Sequence, residues 1–152
     1  MAERTTAFRG SDQGLFSPEQ IQRLMRIEFE RAQRYSYPVV FLLIAVDRLR
    51  QLQDLYGYQV KEQILDALTG LLKHATRASD FLGCLIDDRL LVLVPHTPPE
   101  GAGKLAKRVL DGARKLGFDA DGRTVRVTVS IGGAHNQRHG ELSFETLLEV
   151  AE

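Results

Sequence analysis

The chain has little of several things that would mark a specialised class. Its 152 residues include no tryptophan, two methionines and one cysteine, Cys84. A single thiol excludes an intramolecular disulfide and any zinc site built on clustered thiolates. Net charge is also missing. Twenty Lys and Arg cancel twenty Asp and Glu, and the isoelectric point lies near 6.9. A general nucleic-acid binder works by releasing counterions from a basic face, so this balance argues against that class and leaves room only for a local basic patch. No apolar run approaches the roughly 20 residues a membrane-spanning helix needs. The longest, Val39–Val46, has the length of a strand. The first ten residues are polar and carry no apolar signal-peptide stretch, so the expected location is cytoplasmic. What remains is a balance of 43% hydrophobic and 26% charged residues, which is that of one ordinary globular domain.

Along the chain, residues 1–15 read as an arm or linker and residues 16–152 as the domain, with no internal repeat and no low-complexity segment. Ser17, Pro18 and Gln20 form a helix-start signature, with Ser17 as N-cap and Gln20 closing a capping box. Ile21, Leu24, Met25, Ala32 and Tyr35 follow at helical spacing until Pro38. The next eight residues are apolar at every position, which predicts a central strand covered on both faces. A short helix to Tyr56, a break at Gly57 and a longer helix through Val60, Ile64, Leu68 and Leu72 come next. Residues 81–86 and 89–94 are strand-like and separated by Asp87-Asp88, which predicts a hairpin with a two-residue turn. Pro98-Pro99-Glu100 opens another helix, whose polar face carries Lys104, Lys107 and Arg108. Residues 117–122 read as a turn-rich connection with room for a short edge strand. Val125, Val127, Val129 and Ile131 then alternate with polar neighbours as one strand, ended by Gly132-Gly133. Residues 135–140 read as a polar loop, and Ser143 caps a last helix. The order α-β-α-α-β-β-α-β-α predicts an α/β (α+β) fold, a sheet with helices packed on it.

Several of these segments, taken in order, resemble the GGDEF domain, the module of diguanylate cyclases that condense two GTP molecules into cyclic di-GMP. Gly14-Leu15 fits the end of that family's DxLTGL opening. Ala45-Val46-Asp47-Arg48-Leu49-Arg50 falls where the family has DxDxFK, and Gln53-Asp54-Leu55-Tyr56-Gly57-Tyr58 resembles NDxYGH. Lys61-Glu62 replaces the Gly-Asp that follows. Residues 80–95 cover the signature hairpin, and Val127-Thr128-Val129-Ser130-Ile131-Gly132 matches the TVSIG strand. The resemblance implies a nucleotidyl-cyclase-like, mostly antiparallel central sheet flanked by helices, apparently lacking the family's C-terminal end.

The same resemblance implies that the catalytic machinery is degenerate. Ile86-Asp87-Asp88-Arg89-Leu90 stands at the signature itself, where active members have two glycines that admit the nucleotide and an acid that ligates magnesium. A branched Ile86 replaces a residue needed for its lack of a side chain. Ala45 stands where a metal-binding aspartate belongs, and Arg89 where a further acid does. Gln53, Asp54, Glu62 and Asp88 are left as residual nucleotide-site positions, with no metal and no cofactor expected and magnesium disfavoured. A second site looks intact. Arg77-Ala78-Ser79-Asp80 is an RxxD motif ending five residues before Ile86, the spacing of the family's inhibitory product site (I-site), and the same register brings Arg108 in as its second arginine. A guanidinium can fork onto guanine O6 and N7 or onto phosphate, and a carboxylate accepts from the opposite guanine edge.

The leading expectation is therefore a catalytically inactive receptor for cyclic di-GMP acting through Arg77, Asp80 and Arg108, with Lys104 adding positive charge. Ligand would be coupled to assembly or to a protein partner, with no nucleic acid and no membrane insertion involved. The rivals are a nucleotide-independent dimerisation or interaction module and a weak GTP-binding cyclase. Plainer readings stand beside each residue. Arg77 and Asp80, three apart, make an ordinary surface ion pair, and Asp87 and Asp88 are ordinary turn residues. Asp47 reads as a cap for the next helix, Cys84 as core filling, and His135 with His139 as loop residues rather than zinc ligands.

Overall fold

The computed structural model describes residues 15–136. The first helix, α1 (Pro18–Tyr35), starts as its sequence predicts. Ser17 Oγ accepts from the Gln20 N–H at 3.2 Å, Gln20 Oε1 accepts from the Ser17 N–H at 3.0 Å, and Pro18 fills the first helical turn. It ends where Ser36 turns left-handed (φ 59°), one residue before Tyr37-Pro38 leads into β1 (Val39–Val46). Two helices, α2 (Leu49–Tyr56) and α3 (Tyr58–Ala75), meet at Gly57, whose φ of 96° suits glycine. The hairpin strands are β2 (Phe81–Cys84) and β3 (Leu90–Pro95), followed by α4 (Pro99–Arg114). Three strands come next: β4 (Gly117–Ala120), β5 (Arg123–Arg126) and β6 (Val129–His135).

The main sheet has the order β2-β3-β1-β6 and every pairing in it is antiparallel. This is the helix-flanked, antiparallel α+β architecture expected of the chain. β1 is central because it offers apolar side chains to both faces, and the alternation sorts them into two cores. Phe41 and Leu43 join Leu91 and Leu93 of β3 beneath Ile21, Met25 and Phe29 of α1. Leu42 and Ile44 join Val92 and Val94 on the opposite face, under Ile64, Leu68 and Leu72 of α3 and Leu105 and Val109 of α4. Each fully buried aliphatic side chain here contributes about 1.5–3 kcal/mol.

Three expectations are corrected. The single strand expected over 125–131 is two, because the chain leaves the sheet at Val127-Thr128. β5 turns back to pair with β4 as a separate two-stranded ribbon, whose Phe118, Ala120 and Val125 cover the α3–α4 core. Gly132-Gly133 does not end β6; both glycines pair with β1, opposite Leu43 and Leu42, and the strand runs to His135. The hairpin turn spans three residues, 86–88. The Asp88 N–H bonds to the Leu85 carbonyl at 3.1 Å, the Leu85 N–H bonds to the Arg89 carbonyl at 2.8 Å, and Asp88 sits at φ 67°. A type I turn closed by a left-handed residue gives this geometry, and Asp tolerates that position. The helix expected after Ser143, and His139, lie outside the described residues.

Candidate ligand site

α3 ends at Ala75, and Arg77–Asp80 form a tight turn into β2. The turn is closed from both ends: the Arg77 N–H donates to Asp80 Oδ2 at 2.9 Å and the Asp80 N–H donates to the Arg77 carbonyl at 3.0 Å. Half of the Asp80 carboxylate is thus structural. The other half is not. Oδ1 is buried without a hydrogen-bond partner, and Arg77 Nη2 stands off at 3.7 Å. The Asp80 side chain is only 3% exposed against 61% for Arg77. Burial pushes the Asp80 carboxyl above its usual range, and the Arg77 N–H and guanidinium pull it back in part. A buried acceptor left unpaired costs about 1–3 kcal/mol, which makes Oδ1 a place where a donor would be gained at a premium.

Arg77, Asp80 and Arg108 border one cavity of about 310 Å³ between the end of α3, the end of β3 and the start of α4. The structure therefore brings together all three residues singled out from the sequence. Arg108 Nη2 reaches the last carbonyl of α3, Ala75, at 3.4 Å, a long hydrogen bond. Two lining residues escaped the sequence reading. His96 and Thr97 follow β3 directly, and Thr97 Oγ1 accepts from the Arg77 guanidinium. No local spacing marks them, because strand register sets their neighbours. Pairing Val39 with Pro95 sets the residues before β1 beside those after β3.

The positions aligned with the cyclase site are arranged differently. Gln53 and Asp54 lie on α2 and Glu62 on α3, either side of Gly57. Asp88 is held by Lys61, Nζ to Oδ2 at 2.8 Å, and Lys61 also lies over the Tyr58 ring at 5.4 Å. The bond to Asp88 raises the Lys61 pKa. Asp87 pairs with Arg89 at 2.8 Å, and Ile86 at the tip of the loop is 91% exposed. Asp47 does not cap α2. Its oxygens accept from Thr128 and Ser130, each at 2.6 Å, which lowers its pKa and pins the end of β1 to β6. Arg48, at φ 57°, takes the N-cap position with no side-chain hydrogen bond. Asp47 and Arg48 border a second cavity of about 230 Å³ with Arg114 and Arg126. Among the described residues no three His, Cys, Asp or Glu side chains converge as a metal cluster, and no helix is long and apolar enough to cross a membrane.

A four-stranded antiparallel sheet of order β2-β3-β1-β6 flanked by helices defines a mixed α+β fold, and comparison with known proteins narrows it. Residues 14–152 match the family described as "Diguanylate cyclase, GGDEF domain", and the chain belongs to that family. It is 33% identical over 118 residues to the diguanylate cyclase DgcM of Escherichia coli K12, covering 78% of this chain and 27% of that protein. It is 27% identical over 119 residues to the probable diguanylate cyclase DgcC of the same organism, covering 78% and 32%. The chain thus spans about a third of the length of these relatives or less. Among solved structures, the diguanylate cyclase SiaD of Pseudomonas aeruginosa, in complex with its activator SiaC, superposes with a TM-score of 0.87 at 26% identity, covering 99% of this chain and 57% of that one. The GGDEF domain of DgcB from Caulobacter crescentus, in complex with c-di-GMP, gives a TM-score of 0.86 at 14% identity, covering 95% and 85%.

Proposed function

We propose that this domain is a non-enzymatic receptor for cyclic di-GMP and that the ligand enters the cavity between Arg77, Asp80 and Arg108. The observation that carries the reading is the buried Asp80 Oδ1, which has no hydrogen-bond partner, 3.7 Å from a mostly exposed guanidinium. Guanine presents N1–H and N2–H donors on one edge and O6 and N7 acceptors on another. Asp80 Oδ1 accepts from the first edge, while Arg77 swings from Thr97 to fork onto the second. Arg108 takes a phosphate or the other base. A cavity of about 310 Å³ seats part of a dinucleotide and leaves the rest outside, where a second protomer or a partner protein can close over it. The DgcB domain, solved with c-di-GMP, supports the ligand class.

The non-enzymatic half of the reading rests on the hairpin. Magnesium bound against phosphates keeps one or two carboxylates as ligands. Ala45 has no ligating side-chain atom, and the Asp88 carboxylate holds an ammonium at 2.8 Å. These residues do not fit the ion that phosphoryl transfer would need. A second reading has its own observation. Leu55, Tyr58 and Ile86 are 70%, 58% and 91% exposed, and Lys61 ties the Tyr58 ring to Asp88 of the same hairpin loop as Ile86, which suits a protein partner without nucleotide.

Calorimetric titration with cyclic di-GMP tests the reading. The expected result is saturable binding by the native protein, lost in Arg77→Ala and in Asp80→Asn while both variants melt cooperatively. Undiminished affinity in both variants would overturn the site. A flat titration of the native protein, with a dimer or partner complex formed in its absence, would favour the interaction module. Magnesium-dependent GTP turnover abolished by Asp88→Ala would instead establish a residual cyclase.

A further inference from the structure

The cavity has a wall that the hydrogen-bonding residues do not account for. His96 borders it and is exposed, yet its ring is stacked on Tyr37 with centroids 3.8 Å apart and planes 20° from parallel. Tyr37 is in turn fixed on three sides. Its hydroxyl donates to Glu28, a buried carboxylate on α1. Its carbonyl accepts from Asn136 Nδ2 at 3.1 Å, and Asn136 Oδ1 accepts from the Val39 N–H at 3.0 Å at the start of β1. The next residue along from His96 is Thr97. Its hydroxyl donates to the Pro95 carbonyl at 3.1 Å and holds the Arg77 guanidinium. Adjacent residues thus carry an aromatic ring and the anchor of the planar cation.

We propose that His96 is a stacking platform for one purine base of the ligand and that Tyr37 is the positioning residue that holds the platform in place. The inference rests on the receptor reading above and adds to it the group that binds the face of the base, where Arg77 and Asp80 bind its edges. One face of the imidazole is covered by Tyr37, which does not itself line the cavity that His96 borders. A free histidine on a loop would lose rotamer freedom on stacking. This one is ordered beforehand, so little of the stacking energy is lost to ordering. Base–aromatic stacking tolerates any base, whereas edge hydrogen bonds do not. His96 therefore supplies affinity, and Arg77 with Asp80 supplies preference for guanine.

The test is calorimetry with cyclic di-GMP on the native protein and two variants of His96. His96→Ala weakens binding about ten-fold or more, as loss of one stacked base does. His96→Phe, which restores a ring without nitrogen, stays within about three-fold of the native protein. Thermal melts of both variants show whether the fold is kept. Two results overturn the proposal while leaving the receptor reading intact: native-like binding by His96→Ala, or Phe and Ala variants equally weak, which would make the contact an imidazole hydrogen bond. Absence of binding by the native protein, with Arg77→Ala equally inert, overturns the receptor reading and the platform with it.

Discussion

Tyr37 shows at the residue scale how much a single contact can organise. Burial, followed by its bond to Glu28, pushes the phenol up to about 12. An unfolded tyrosine titrates near about 10, so the native state holds this proton more tightly. The stability it contributes is fully present below about pH 10 and is lost as pH rises through about 12. An absorbance titration of phenolate should show a late step near pH 12 that vanishes in Tyr37→Phe. That variant also removes the hydroxyl donor from a buried carboxylate, at a cost of about 1–3 kcal/mol by chemical denaturation. A variant as stable as the native protein would mean that Arg31, 3.9 Å from Glu28, suffices as its partner. Arg77 and Asp80 were legible at this scale because their meaning lies in a local spacing. His96 was not, since its partners Tyr37 and Thr97-bound Arg77 are set by strand pairing and not by neighbours in sequence.

At the scale of elements, what was readable is what local chemistry decides. Ser17, Pro18 and Gln20 begin α1 with groups within four residues of one another, and eight successive apolar residues suit a strand covered on both faces. The hairpin and the 125–131 segment were misread for opposite reasons. Two aspartates looked like a whole turn when the turn needed a third residue and a left-handed Asp88. A clean alternation looked like one strand when its first half pairs with β4 and its second with β1. Close packing between elements offers a sharper check. A Cβ built on Gly83 of β2 would lie 2.5 Å from Ile21 Cβ on α1, so glycine is required for the helix to seat there. Gly83→Ala should cost about 1–3 kcal/mol in urea unfolding, because backbone-proximal atoms of a buried helix must give way. A loss below about 0.5 kcal/mol would mean that α1 rides loosely on the sheet edge.

The whole molecule was legible as a class because its motifs recur in order along nearly the full chain, and the sheet that results is the one the resemblance implied. Function is less legible, since the cavity beside β3 and the hairpin are both candidate binding regions. The cavity beside β3 and the hairpin tip lie on different parts of the same sheet, so ligand binding at one does not require the other. A ligand that binds only the native state raises stability by RT ln(1 + [L]/Kd), about 2.7 kcal/mol at a hundred-fold excess over Kd. Cyclic di-GMP at that excess should raise the melting temperature by several degrees for a domain of this size. Arg77→Ala should show no shift, and Lys61→Ala the full shift, because Lys61 belongs to the hairpin and not to the cavity. Magnesium with GTP at the same concentrations should leave the native melt unchanged, since Asp88 already holds Lys61 and Ala45 has nothing to offer a cation. The reverse pattern, with stabilisation by magnesium and GTP and none by the dinucleotide, would move the working site from the end of β3 to the hairpin.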